Sequence, residues 1–144
     1  SEKGKVKIDM IDYMEGMVDD FSIKFNPKET APSPAAEDLF AKGEGSDLEK
    51  QRAEESHTFV AKGLFACKRA RPDIHPTIAV LCTRVKQPNE DDWRKLNRLL
   101  KYINGTRKDK LILSADDLHV MKWYVDCAFA VHPDFKSHTG GNMT

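Results

Sequence analysis

Cysteine is scarce and scattered in this chain. Its three copies, Cys67, Cys82 and Cys127, form no Cys-x-x-Cys pair and have no histidine at ligand spacing. That argues against a disulfide framework and for small buried apolar residues in a reducing compartment. His132 and His138 flank a loop, but a tetrahedral zinc site needs four clustered ligands, and no second cluster accompanies them. Long hydrophobic runs are lacking too. Nothing approaches the length of a membrane span, and Ser1-Glu2-Lys3-Gly4-Lys5 is not followed by the apolar core of a signal peptide, so no membrane partner is expected. The chain opens on serine rather than methionine, which suggests a segment cut from something longer.

Net charge is also missing, but its absence hides a segregation. The 144 residues hold 23 basic and 23 acidic side chains, for a net charge of zero. Residues 1–60 carry 8 basic and 14 acidic groups, residues 61–110 carry 13 and 5, and residues 111–144 carry 2 and 4. A central basic block suits a nucleic-acid backbone. It equally suits a solvated helical surface that pairs with the acidic N-terminal third. Length and the 40% hydrophobic content fit one core of ordinary size.

Lys5 to Met10 alternates charged and apolar residues, as a short half-buried strand does. Ile11, Met14, Met17, Val18 and Phe21 then recur at helical spacing, predicting an amphipathic helix over 11–21 closed by Asn26-Pro27. From Pro27 to Asp47 the chain is rich in Pro, Ala, Ser, Glu and Gly, with Leu39 and Phe40 as its anchors, and reads as a long, mobile connection. Three helices are predicted next. The first runs from Leu48 to Arg71, with Ala53, Val60, Leu64 and Cys67 on one stripe and Phe59 beside it, and Pro72 ends it. The second starts at Asp73 or His75 and places Ile78, Leu81, Cys82 and Val85 on one face before Pro88. The third has Asn89 as N-cap, acids in its first turn, a stripe of Trp93, Leu96, Leu100 and Ile103, Gly105 as C-cap, and a basic opposite face. Leu111-Ile112-Leu113 reads as a strand, Ala115-Asp116-Asp117 as a turn, and Val120 to Ala128 as the hairpin partner, followed by a polar loop. The last strand carries Asp126 inward among aromatic and β-branched residues. A carboxylate there is costly to bury unless it meets a metal or a hydrogen-bond partner, which makes Asp126 the candidate functional residue.

Arg71-Pro72-Asp73-Ile74, then Asp92-Trp93-Arg94-Lys95-Leu96 with Arg98, then Leu99 to Thr106 containing Tyr102 and Gly105, form an ordered block. It resembles the "Arg-Pro-Asp-Ile … Trp-x-x-Leu-x-Arg-x-x-x-Tyr-x-x-Gly-Thr" block of copia-type retrotransposon polyproteins, and Tyr124-Val125-Asp126-Cys127-Ala128 is similar to the first strand of their ribonuclease H domain. Cys127 departs from the small alanine usual beside that aspartate.

The resemblance implies an α+β fold. In it, 1–26 closes a reverse transcriptase palm-like region, 27–47 is a linker, 48–110 is a three-helix thumb- or connection-like region, and 111–144 is a hairpin that begins a ribonuclease H-like sheet. The parent polyprotein would copy RNA into DNA and cleave the RNA of RNA–DNA hybrids. Its cofactor would be Mg²⁺ or Mn²⁺, with Asp126 the first metal-binding carboxylate of an incomplete site and no tight metal binding by this segment alone. Arg94, Lys95, Arg98 and Lys101 would lie near the RNA–DNA hybrid and bind it weakly through phosphates. The other partners implied are the remaining parts of the polyprotein, in the cytoplasm within a virus-like particle and in the nucleus. The competing class is a non-enzymatic helical module that binds nucleic acid or only packs.

Met17-Val18-Asp19-Asp20 has the outline of the aromatic-x-Asp-Asp signature of polymerases. It falls within a helical stripe rather than at a tight turn, so the reading adopted is a helix whose acids face solvent. Asp116-Asp117 is read as a hairpin turn.

Overall fold

Apolar residues at helical spacing form the helices foreseen, in the order foreseen. The structure, a computed structural model, describes residues 4–41, 43–114, 119–130 and 135–143. Strand β1 spans Lys5–Ile8 and is followed by α1, Ile11–Asp20. After a long irregular stretch come α2, Lys50–Cys67, a 3₁₀ turn over Pro72–Ile74, α3, His75–Arg84, and α4, Glu90–Gly105. Strands β2, Leu111–Ser114, β3, Trp123–Ala128, and β4, His138–Met143, complete an α+β fold. Among the described residues no helix is long and apolar enough to cross a membrane.

The four helices share one core. Met14, Met17, Val18 and Phe21 from α1 and its C-cap meet Phe59, Val60 and Cys67 of α2, Ile78 and Leu81 of α3, and Trp93, Leu96, Leu99, Leu100 and Ile103 of α4. Phe21 lies at its centre, with ring centroids 4.9 Å from Phe59, 5.2 Å from Trp93 and 6.0 Å from Phe25. Helices α2 and α3 approach closely because Gly63 carries no side chain: a Cβ there would stand 2.3 Å from Cδ1 of Ile78. The cap of α4 is as predicted. Asn89 accepts from the Asp92 amide at 3.0 Å while the Asp92 carboxylate accepts from the Asn89 amide at 3.0 Å, a reciprocal capping box.

Four expectations are corrected. The hairpin of 111–113 with 120–128 does not form. Instead β2 pairs antiparallel with β1, Lys5 opposite Ser114 and Ile8 opposite Leu111, and β3 pairs antiparallel with β4, Trp123 opposite Met143 and Asp126 opposite Gly140. The segment read as a polar loop therefore contains a strand. Gly140-Gly141 has little intrinsic strand preference, and a paired neighbour supplies what propensity does not. Gly105 is the last residue of α4 rather than a left-handed cap beyond it. Its missing Cβ matters for another reason, since one added there would lie 3.0 Å from Thr30.

The fourth correction concerns the connection. The segment 27–47 is expected to be mobile, but its described residues, with Asn26 and Leu48 at its ends, form a strap laid along α4. Asn104 donates to the carbonyls of Asn26 and Glu29 at 2.9 and 3.1 Å, and Asn89 donates to the Gly43 carbonyl at 3.2 Å. The strap ends in backbone bonds from Leu48 to Pro88 and from Glu90 to Ser46, while Leu39 is buried beneath it. Side chains from a distant helix satisfy backbone groups that the strap, lacking regular structure, cannot satisfy within itself. The turn at Asp116-Asp117, His132 and the side chain of His138 lie outside the described residues.

Candidate functional site

Four residues of the ordered motif block meet in space. Arg71, in the tight link between α2 and α3, is buried, and each nitrogen of its guanidinium donates a hydrogen bond. Nε and Nη2 donate to Asp73 at 3.0 and 2.7 Å. Nη1 donates to the Thr106 carbonyl at 3.0 Å and Nη2 to Thr106 Oγ1 at 2.7 Å. Tyr102, one turn before Thr106 on α4, donates its hydroxyl to Asp73 at 2.9 Å. Burial alone would push the Asp73 carboxyl up, but the hydrogen bonds and charge of Arg71 outweigh it and hold the group below the usual carboxylate range. Burial, with the Asp73 carboxylate accepting from it, pushes the Tyr102 hydroxyl up.

The donors and acceptors that converge here serve one another, and the cluster holds the link between α2 and α3 against the end of α4. The motif block was visible in the sequence. That Arg71, Asp73, Tyr102 and Thr106 form one network was not, although the spacing of Tyr102 and Thr106, one helical turn apart, was the available signal.

The four candidate nucleic-acid contacts share a face of α4, on which Arg94, Lys95 and Arg98 meet the strap and Lys101 lies near Phe25, just before it. Arg94 pairs with Asp38 of the strap and with Asp91, the latter at 2.5 Å. Lys95 is buried, 2.8 Å from Asp91 and donating to the Ala41 carbonyl at 2.8 Å. Arg98 donates to Ser33 Oγ at 3.0 Å, and Lys101 stands 5.8 Å from the ring of Phe25. Spacing along the helix predicted a shared face, but nothing in the spacing showed what covers it.

Asp126 lies at the middle of β3, where every residue of the strand is exposed. The inward placement expected of it is not what the structure has, because among the described residues no second layer covers β3. Its Oδ1 accepts from the Cys127 amide at 2.9 Å, a local contact that any exposed strand aspartate could make. Among the described residues no group of three or more His, Cys, Asp and Glu is clustered to hold a metal ion. Asp126 is thus one carboxylate by itself, and the described residues do not make up a two-metal site. Asp19 and Asp20 sit at the exposed end of α1 and are tied to separate cations, Asp19 to Arg107 at 3.1 Å and Asp20 to Lys62 at 2.8 Å. Their arrangement is the solvent-facing helix end expected of them.

No protein-family model matches the chain, and no solved structure matches it. Over 78 residues, 54% of its length, the chain is 31% identical to the retrovirus-related Pol polyprotein from transposon TNT 1-94 of Nicotiana tabacum, and it spans 6% of that protein. The similarity supports a relationship to retrotransposon polyproteins, in accord with the resemblance carried by the Arg71 to Thr106 block.

Proposed function

We propose that this chain is the part of a copia-type retrotransposon polyprotein that joins the end of reverse transcriptase to the beginning of ribonuclease H, and that by itself it catalyses neither reaction. The observation that carries this reading is the Arg71, Asp73, Tyr102 and Thr106 network. Motif residues scattered over 36 positions are held in one cluster that serves the helical body, as expected of a connecting region whose task is to fix flanking catalytic domains. The similarity to the transposon polyprotein supports it. In this reading Asp126 is the first carboxylate of the ribonuclease H site, and the remaining ones come from polyprotein sequence outside this chain. Asp19 and Asp20, each neutralised by its own cation, are helix-end acids and not polymerase ligands.

The test has two arms. The chain alone, assayed with Mg²⁺ and with Mn²⁺ on a primed RNA template and on an RNA–DNA hybrid, is expected to extend nothing and cut nothing. In the longer polyprotein that contains it, Asp126→Asn is expected to abolish hybrid cleavage while primer extension continues. Cleavage untouched by Asp126→Asn would remove Asp126 from the site, and extension by the isolated chain that vanished in an Asp19→Asn, Asp20→Asn double variant would overturn the placement.

The second reading is a non-enzymatic helical module that packs or binds nucleic acid. The burial of Lys95 favours its packing form, because phosphates would have to displace the strap to reach it, whereas Arg94 is paired but stays half exposed. Weak binding to an RNA–DNA hybrid through Arg94, Lys95, Arg98 and Lys101 would show a steep loss of affinity between roughly 50 and 200 mM salt. Changing all four to Gln would remove that salt dependence. A variant that binds like the parent leaves the face with a packing role only.

A further inference from the structure

The three cations along the strap-facing side of α4 are not equally provided for. Arg94 has two carboxylates and Lys95 has one, whereas among the described residues Arg98 has none within ion-pair distance. Its Nη2 reaches only the neutral Oγ of Ser33, at 3.0 Å, and its Nε is buried with no acceptor. This half-buried guanidinium lacks a counter-charge, and its edge of Nε beside Nη2, engaged only at Nη2, is the fork that grips two oxygens of one oxyanion. Beside it the strap residues Pro34, Ala35, Asp38 and Leu39 close a small cleft over Thr77, Arg94, Lys95 and Arg98, where the Asp38 carboxylate is taken by Arg94. The Thr77 hydroxyl, on a fully buried residue, has no hydrogen-bond partner either. The Arg98 Nε–H and the Thr77 hydroxyl are thus buried donors without an acceptor.

The chain places a suitable carrier of acceptor oxygens next to the fork. Ser33 is followed by Pro34, and among all the serines and threonines of the sequence it is the one with proline next in line. It lies half-buried in a segment without helix or strand, which is the kind of substrate that proline-directed kinases accept. We propose that Ser33 is a phosphorylation site and that the Arg98 guanidinium receives the phosphate. In the transfer, Ser33 Oγ attacks the γ-phosphorus of a nucleoside triphosphate, the bond to the bridging oxygen breaks, the diphosphate leaves, and the hydroxyl proton passes to the kinase's base. The product carries about −1.5 to −2 charges where a neutral hydroxyl stood, and supplies three acceptor oxygens to Arg98. The modification fastens the strap to α4 and closes it over the basic face.

The experiment uses the full chain with phosphoserine incorporated at position 33. Its thermal midpoint is expected to rise above that of the parent, and the second ionisation of the phosphate, followed by ³¹P NMR, is expected to fall below its ordinary value of about 6. Both effects should disappear in Arg98→Gln and return in part in Arg98→Lys, which restores the charge without the fork. A modified chain no more stable than the parent, or a gain undiminished by Arg98→Gln, overturns the assignment. In a second arm, a proline-directed kinase with ATP is expected to label the parent at Ser33 and to leave Ser33→Ala unlabelled, and a parent that takes up no label there also overturns it. Inorganic phosphate provides the third arm. If it stabilises the parent and Ser33→Ala alike, the cleft is a site for a free oxyanion, and the covalent assignment falls.

Discussion

Arg71 grips Thr106 twice, through the backbone carbonyl at 3.0 Å and the hydroxyl at 2.7 Å, although 35 residues separate them. The contact fixes the turn between α2 and α3 against the far end of α4, and the Asp73 carboxylate balances the buried charge. Removing that balance is the severe change. Asp73→Ala leaves a buried guanidinium without its counter-ion, for which about 3–5 kcal/mol of lost stability is expected from urea unfolding. Arg71→Lys should also destabilise, since an ammonium cannot serve both partners with a planar fork. Equal unfolding midpoints for parent and Asp73→Ala would show the network to be dispensable.

The same cluster sets an acid sensitivity. The Asp73 carboxyl is held below its unfolded value, chiefly by Arg71 acting against burial, so its contribution is present above the unfolded pKa of about 4 and is lost as pH falls below that toward the lower folded value. Asp91, held down by Lys95 and Arg94 against burial, acts in the same direction and loosens the strap face over the same range. Stability measured from pH 6 down to pH 2.5 should therefore fall most steeply below about pH 4. An Asp73→Asn variant, already weakened at neutral pH, should show a shallower fall.

Trp93 is buried against Phe21, with Arg52 stacked 4.7 Å above its ring. Trp93→Ala should cost about 3–5 kcal/mol, read from chemical unfolding. Arg52→Ala should cost far less, because the stacked guanidinium is half exposed and its pair with Glu90 is screened by solvent. A Trp93→Ala protein as stable as the parent would contradict the packing described.

Gly63 sets two effects against each other. Alanine is the better helix former by about 1 kcal/mol, which favours Gly63→Ala. Its Cβ would intrude on Ile78, which is wholly buried and has little room to retreat, and overpacking of that kind costs about 1–3 kcal/mol. Net destabilisation is expected, and a simultaneous Ile78→Val change should recover part of it by withdrawing Cδ1. A stabilised Gly63→Ala protein would mean that α2 and α3 lie farther apart than described.

The thiols should react in order of exposure. Cys127 is exposed, whereas burial pushes the Cys67 and Cys82 thiols up and away from the reactive thiolate. Limited alkylation at neutral pH, followed by mass mapping, should label Cys127 first and Cys67 last. Prior labelling of Cys67 would contradict the burial of the α2 end.

The sequence by itself determined the helices, because a helix is written in residues three and four apart. Ile11 to Phe21 and Trp93 to Ile103 carry that spacing, and Asn89 with Asp92 carries the cap, so neither needed knowledge of distant parts of the chain. It also made the Arg71 to Thr106 block recognisable as a pattern. What the pattern held together was decided only in three dimensions, where Arg71 and Thr106 are brought side by side by the path of α3 and α4. Strand partners were decided there too: Leu111–Ser114 pairs with Lys5–Ile8, about a hundred residues away, rather than with its neighbour in sequence. A strand's alternation records which face is apolar but not which other strand will meet it. The strap is the clearest case. Nothing in Pro27 to Asp47 has a period, and its order comes from Asn104, Arg98 and Lys95 of α4 and from the helix cap Asn89, whose donors satisfy its backbone and side chains at separations of 46 to 78 residues. Local spacing fixes local geometry, whereas the satisfaction of an irregular segment's polar groups depends on which surface the folded chain lays it against.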